Sequence, residues 1–330
     1  MMTRLSGAEV AATLIDVEFD PTYGYDLAAL LECGPPEDEP DDLDAFWGEV
    51  RNEALAVDLD LSLGSWREVE DGAEVATLTV TGLDGVRLGG WAVREPGELR
   101  RGIVLGHGYG GRAEPGLGMP AGTLSVQLVA RGMPGSETDG IGSVSSDHVL
   151  SGIESPRTYS HVGSAADQWT ATTVLSQLAP GVPIGYEGGS FGGGIGALAA
   201  AYEDRWDALV LSVPSFGNHP LRLQLPCRGS GNAVRLHSLD HPEVSRVLRY
   251  VDAANAATRV HVPALCLPAL ADPSVPPPGQ FAVATALAGP TWIHVKSGGH
   301  GSWDGDQDEQ VNDRRMVARF WDDPVAATRD

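Results

Sequence analysis

The sequence predicts an α/β protein with a doubly wound, mainly parallel sheet, and three observations predict it. From about residue 66 onward, short apolar and β-branched stretches alternate with helical ones, the pattern of strands joined by crossover helices. Two of the apolar stretches run straight into glycine-rich loops, Gly106-His107-Gly108-Tyr109-Gly110-Gly111 and Gly188-Gly189-Ser190-Phe191-Gly192-Gly193-Gly194. In open parallel sheets the loops that carry chemistry lie at the C-terminal ends of strands, which is where both of these fall.

The first 66 residues read as an N-terminal extension that packs on the core, with a catalytic domain spanning 67–330. In the extension, Leu43, Phe46, Trp47 and Val50 fall at i, i+3, i+4 and i+7, one apolar helical face with Asp41 or Asp42 as its cap. The acidic run from Glu37 to Asp44 reads as a solvated loop with negative charge at a helix N-terminus. Next, residues 74–80 and 86–93 form two strands about the turn Leu83-Asp84-Gly85, a hairpin. Strands follow over 102–105, 125–130, 182–187, 209–213, 264–270 and 291–295, with helices over 165–178 and in the Ala-rich segment after Gly194.

Composition narrows the function. A chain of 330 residues with 42% hydrophobic and 20% charged side chains is a globular protein of enzyme size. With 22 Lys and Arg against 45 Asp and Glu, the net charge of −23 repels nucleic acid and anionic bilayers, so neither is an expected partner. Three cysteines, Cys33, Cys227 and Cys266, cannot all pair within one chain and lack C-x-x-C spacing, so they are expected to be small buried side chains. No metal or other cofactor is expected. The N-terminal apolar stretch is broken by Glu9 and Asp16, too short for a secretory signal or a membrane span, and the expectation is a soluble cytoplasmic protein.

The chemistry centres on Gly188-Gly189-Ser190-Phe191-Gly192, a G-x-S-x-G pattern between strand and helix. A sharp turn there lifts a serine hydroxyl clear of the sheet, which makes Ser190 the candidate nucleophile, and the Phe191 N–H at the helix start a candidate oxyanion donor. A phosphate-cradling loop is the competing reading, but no G-x-x-x-x-G-K-[ST] occurs. Tyr109, in the glycine-rich loop some 80 residues upstream, offers a second backbone N–H, while His107 reads as a histidine that holds that loop. The acid and base should follow the nucleophile in the order Asp, then His. Asp272 stands after the strand ending at 270, and His300 stands in the loop Ser297-Gly298-Gly299-His300-Gly301 after the last strand. Asp252, Asp304 and Asp306 are competing acids, the last two in reversed order; His261 and His294 fall in or beside strands and read as structural.

These residues carry a family likeness. Gly106 to Arg112, Ser151-Gly152-Ile153-Glu154-Ser155-Pro156-Arg157-Thr158-Tyr159, the Gly188 to Gly194 loop with Val213-Pro214, Leu270 to Pro277, His300 and the Asp44-Ala45-Phe46-Trp47 helix together resemble the acetyl xylan esterase and cephalosporin C deacetylase family of α/β-hydrolases. The resemblance implies a Ser190, Asp272, His300 triad, an oxyanion hole from the Tyr109 and Phe191 N–H groups, hydrolysis of small acyl esters of sugars and related alcohols, and a homo-oligomer, a ring-like hexamer. Three positions depart from the family: Phe191 where Gln is usual, Gly110 where Asn is frequent, and Gly301 where Glu is frequent. Tyr109, Phe191, Met133 and Trp303 are expected to shape the substrate pocket. A peptidase or a carbon–carbon hydrolase on the same fold is the alternative, disfavoured because no propeller-sized or lid-sized insertion is present.

Overall fold

The structure, a computed structural model, describes residues 5–14 and 17–324. Asp16, one of the two acids that interrupt the N-terminal apolar stretch, lies outside the described residues. The first elements are helices α1 (Gly7–Thr13), α2 (Leu27–Leu31) and α3 (Leu43–Leu55), followed by strands β1 (Ser62–Leu63), β2 (Arg67–Glu68), β3 (Glu74–Thr81), β4 (Arg87–Arg94), β5 (Arg101–Leu105) and β6 (Thr123–Leu128). Then come α4 (Ser145–His148), α5 (Ser160–Leu178), β7 (Ile184–Gly189), α6 (Phe191–Ala200), β8 (Trp206–Ser212), α7 (His219–Arg222), α8 (Ser230–Asp240), α9 (Val244–Leu248) and α10 (Ala253–Ala257). The chain continues through β9 (Ala264–Leu267), β10 (Ala269–Ala271), α11 (Pro277–Ala286), β11 (Thr291–Ile293), β12 (Lys296–Gly298) and α12 (Asp306–Asp322).

The main sheet has ten strands in the order β1-β3-β4-β6-β5-β7-β8-β9-β11, with β2 beside β3. The β3–β4 hairpin pairs antiparallel, as its turn predicts, and β4 joins β6 antiparallel; from β6 to β11 every pairing is parallel. Parallel strands need both faces covered. The strand β6 is accordingly buried at all six positions, and α5 and α6 bring long buried stretches to the sheet.

One expected strand is divided, and the one expected over 291–295 ends at Ile293. Pro268 has no N–H to give a ladder, and at that point the strand expected over 264–270 leaves the main sheet. Its second half, β10, pairs instead with β12 in a separate two-stranded parallel sheet, Ala271 opposite Gly298. This small sheet sets the ends of β10 and β12 side by side, and those ends lead to Asp272 and His300.

Helix α3 buries Leu43, Trp47, Val50 and Ala54, the face that its spacing predicts extended by one turn, while Phe46 is only partly buried. Asp42 is its N-cap residue without a side-chain capping bond; the carboxylate instead accepts from the Tyr250 hydroxyl at 2.6 Å. The acidic run before it is paired rather than merely solvated: Asp38 meets Arg249, and Glu39 and Asp44 both meet Arg259. Trp47 is 1% exposed, stacks on Tyr202, stands edge-on to Trp169 and donates from Nε1 to the Tyr250 carbonyl at 2.8 Å. Trp47→Ala would leave a ring-sized cavity and an unpaired carbonyl, and is expected to cost about 3–5 kcal/mol of stability, read as a lower urea midpoint at unchanged slope.

Among the described residues no helix is long and apolar enough to cross a membrane. Cys227 and Cys266 are buried and Cys33 partly so, and all three are free thiols.

Candidate active site

Ser190 is the hinge between β7 and α6, with φ 55° and ψ −118°, a conformation that a side chain adopts only when its surroundings impose it. They do so through close backbone approach. A Cβ at Gly188 would stand 2.7 Å from the Gly192 carbonyl oxygen, and one at Gly192 would stand 2.8 Å from that of His107, so both glycines of the pattern are needed for space. The Ser190 N–H donates to the Ser212 carbonyl at 2.9 Å, and the Tyr186 hydroxyl donates to the Gly192 carbonyl at 2.6 Å, which pins the turn from both sides.

The small β10–β12 sheet delivers the other two side chains. His300 Nδ1 lies 2.8 Å from Asp272 Oδ2, and His300 Nε2 lies 3.0 Å from Ser190 Oγ. A carboxylate only accepts, so Nδ1 carries the proton and Nε2 is free to accept from the serine hydroxyl. Asp272 is fully buried and amply partnered: Ser274 and Val275 N–H groups donate to Oδ1 at 2.8 and 3.0 Å, and Gln280 Nε2 donates to Oδ2 at 2.9 Å. Its own N–H donates to the Pro21 carbonyl at 3.0 Å, which ties the acid loop to the N-terminal segment. Burial disfavours the charged imidazole of His300, but the charge and hydrogen bond of Asp272 outweigh it, and the pKa is raised despite Lys296. The side chain keeps 32% of its surface exposed, so a substrate can reach it.

Across the serine, the loop after β5 presents Tyr109. His107 behaves as the loop-holding histidine expected: its Nε2 accepts from the Ala130 N–H at 2.9 Å, so Nδ1 donates to the Gly108 carbonyl at 2.7 Å. Burial keeps this ring neutral, lowering its pKa to about 4. The Phe191 N–H begins α6, where the helix dipole favours negative charge. Together the geometry offers a hydroxyl, an acceptor nitrogen beside it, a buried carboxylate behind that nitrogen, and the first N–H of α6 next to the hydroxyl.

Three pocket expectations, Met133, Trp303 and Phe191, are corrected. Met133 is 2% exposed within the main core, and Trp303 is 8% exposed in a small cluster with Val10 and Ala271, under α1. Neither leaves surface for a substrate: Met133 is packed in the core, and Trp303 turns inward against Gly298 at the end of β12 in the small sheet. The Phe191 ring is also inward, 3% exposed, while Tyr109 is partly exposed. Of the competing acids, Asp252 caps α10 and takes the N–H groups of Asn218 and His219, away from His300. Two contributors escaped the sequence reading. Gln280 bridges Asp272, the Val275 carbonyl and the Ala269 N–H, and its signal is a lone amide just before the apolar run Phe281 to Ala284. Glu309 of α12 accepts from the Ser297 N–H at 2.7 Å and so braces the strand before His300.

An open, mostly parallel sheet flanked by helices, with a strained serine between strand and helix, defines an α/β-hydrolase. The family model for acetyl xylan esterase matches residues 23–311, and the chain belongs to that family, a family of carboxylic ester hydrolases. Among solved structures, acetyl xylan esterase 1 from Thermoanaerobacterium sp. JW/SL YS485 is similar at a TM-score of 0.76 and 22% identity over 88% of this chain and 98% of that one. The acetyl xylan esterase from Paenibacillus sp. R4 is similar at 0.73 and 21%, over 88% and 99%. An acylaminoacyl peptidase from Pyrococcus horikoshii is similar at 0.53 and 16%, covering 86% of this chain but 43% of that one. At these identities the solved structures speak for the fold.

Proposed function

We propose that the protein is a serine esterase that removes acetyl groups from sugars or related alcohols, with Ser190, His300 and Asp272 as its triad. The observation that carries the reading is the unbroken hydrogen-bonded run from Ser190 Oγ through His300 to buried Asp272. His300 Nε2 takes the hydroxyl proton as Oγ bonds to the ester carbonyl carbon, and the oxyanion meets the Tyr109 and Phe191 N–H groups. The tetrahedral adduct collapses, its C–O bond to the alcohol breaks, and the imidazolium returns the proton to the leaving oxygen. Water then repeats the sequence on the acyl-enzyme and releases acetate. The acetyl class is supported by family membership and by the names of the two esterases of like fold.

A fluorophosphonate probe is expected to label Ser190 alone and to abolish ester hydrolysis; an inhibited enzyme labelled elsewhere refutes the assignment. Across 4-nitrophenyl esters, acetyl and propionyl are expected to exceed octanoyl in kcat/KM, in keeping with membership of the acetyl xylan esterase family. A higher value for octanoyl would refute the short-acyl preference.

The pH profile follows from the raised pKa of His300. The ring acts as a base only when neutral, so kcat/KM falls as pH drops through that pKa, and the raised value puts the acid limb above the ordinary histidine value of about 6.5. Initial rates from pH 5 to 9 check this, and a limb at or below the ordinary value overturns it.

A further inference from the structure

The two residues that the esterase reading takes as oxyanion donors, Tyr109 and Phe191, have side chains that meet. The Tyr109 and Phe191 rings lie 4.2 Å apart, and the same box is closed by His148, edge-on to Phe191 at 5.5 Å, by His161 at 5.7 Å and by Phe216 at 6.0 Å. Into this largely apolar box the chain inserts one hydrogen-bonded line. The Tyr109 hydroxyl lies 3.1 Å from His148 Nδ1 and 2.9 Å from His161 Nε2, and His148 Nε2 lies 3.0 Å from the Arg131 carbonyl oxygen.

The direction of the line follows from its ends. A carbonyl only accepts, so His148 Nε2 carries a proton. Burial keeps that ring neutral, lowering its pKa to about 4, and Nδ1 is therefore an acceptor. The Tyr109 hydroxyl donates to it and accepts in turn from His161 Nε2–H; His161 is fully buried and its pKa is pushed well down by that burial. The far end is anchored, since the Arg131 guanidinium makes two hydrogen bonds to Asp167, on the same α5 whose first turn carries His161. Three segments, the loop after β5, α4 and the start of α5, are thus tied together at one phenolic oxygen.

Packing alone does not call for this. Phenylalanine at 109 with apolar residues at 148 and 161 would fill the same volume without desolvating the polar atoms of three side chains. What the line adds is a fixed point. It holds Tyr109 Oη in one place against the Phe191 ring, and a rigid side chain held at its tip constrains the peptide at its base. Oxyanion donors work only when they are aimed in advance at the place where the charge will develop.

We propose that His148 and His161 are positioning residues of the oxyanion hole, which act through the Tyr109 hydroxyl to hold the Tyr109 N–H in register with the Phe191 N–H. The proposal rests on the Ser190 esterase reading and adds to it residues that never touch substrate.

Tyr109→Phe tests it, because the ring and the backbone N–H remain and only the shared hydroxyl is lost. With 4-nitrophenyl acetate, kcat is expected to fall about 10- to 100-fold, short of the loss of a whole donor, with KM within about twofold. Affinity for phenylboronic acid, which forms a charged tetrahedral adduct on the serine, should fall with kcat. His161→Leu should behave alike, whereas His161→Gln, whose amide N–H reaches the place of Nε2, should keep most of kcat. A wild-type kcat in Tyr109→Phe, an unchanged boronate affinity, or equal losses in His161→Leu and His161→Gln overturns the proposal. Ser190→Ala, assayed alongside, separates the two readings: if it is inactive while Tyr109→Phe runs at the wild-type rate, only the positioning role fails; if it is active, the esterase reading fails as well.

Discussion

Ser190→Ala and His300→Ala are each expected to lower kcat by about 10⁶-fold with little change in KM, and Asp272→Asn by about 10⁴-fold. The first two are alike because the nucleophile and base act as a unit: without Oγ there is nothing to acylate, and without Nε2 the hydroxyl proton, held at 3.0 Å, has nowhere to go. Asp272→Asn is milder because His300 stays in place but loses the carboxylate that accepts its Nδ1–H at 2.8 Å and dictates its tautomer. Neither Ser190 nor His300 fills a core position whose loss opens a large cavity, so the thermal midpoints of their variants should stay near wild type, whereas Asp272→Asn sets an amide NH2 among the donors around a fully buried carboxylate and should lower its midpoint. Single-turnover and steady-state assays on preparations free of wild-type enzyme check this; retention of more than a few per cent of activity by Ser190→Ala overturns the nucleophile assignment.

The parts of this site legible in the sequence are those governed by short-range backbone rules. A glycine-flanked serine between an apolar strand and a helix reads directly as a tight turn, because the glycines are needed by contacts four residues apart, Gly188 against Gly192. Asp272 and His300 are legible as residues that follow strands. What could not be read is where the strands themselves go. The step off the main sheet at Pro268 decides that Trp303 turns toward Val10 and away from any substrate, and nothing local to Trp303 announces it. Helix α12 was missed for a related reason: of its 17 residues only Asp313, Phe320 and Trp321 are buried, so its apolar periodicity is faint, and it is held partly by polar contacts such as Glu309 to Ser297. The acidic run read as solvated is paired with Arg249 and Arg259, partners about 200 residues away that no local pattern could supply.

Gly299→Ala is expected to approach the damage of Asp272→Asn although it replaces no titrating group. A Cβ at position 299 would stand 2.0 Å from Asp272 Oδ2, the oxygen that accepts the His300 Nδ1–H, and 2.5 Å from the carboxyl carbon. No side chain closes to that distance, so either the carboxylate or the loop must move. The carboxylate resists, because Oδ1 is fixed by the Ser274 and Val275 N–H groups and Oδ2 by Gln280. The loop resists as well: the Gly299 N–H donates to the Ala271 carbonyl at 2.9 Å, and Glu309 holds Ser297. Whichever yields, the bond between Asp272 and His300 lengthens, and the imidazole loses its fixed tautomer and orientation. The expected result is a kcat lower by about 10³- to 10⁴-fold, near the cost of losing the carboxylate itself. The acid limb of kcat/KM should also move to lower pH, since the charge that raises the His300 pKa has receded. Ser190 should still react slowly with a fluorophosphonate, as the turn that presents it is built from β7, α6 and Gly192 rather than from this loop. A Gly299→Ala enzyme with a wild-type kcat and an unmoved acid limb would show that the contact between Asp272 and His300 does not govern the base.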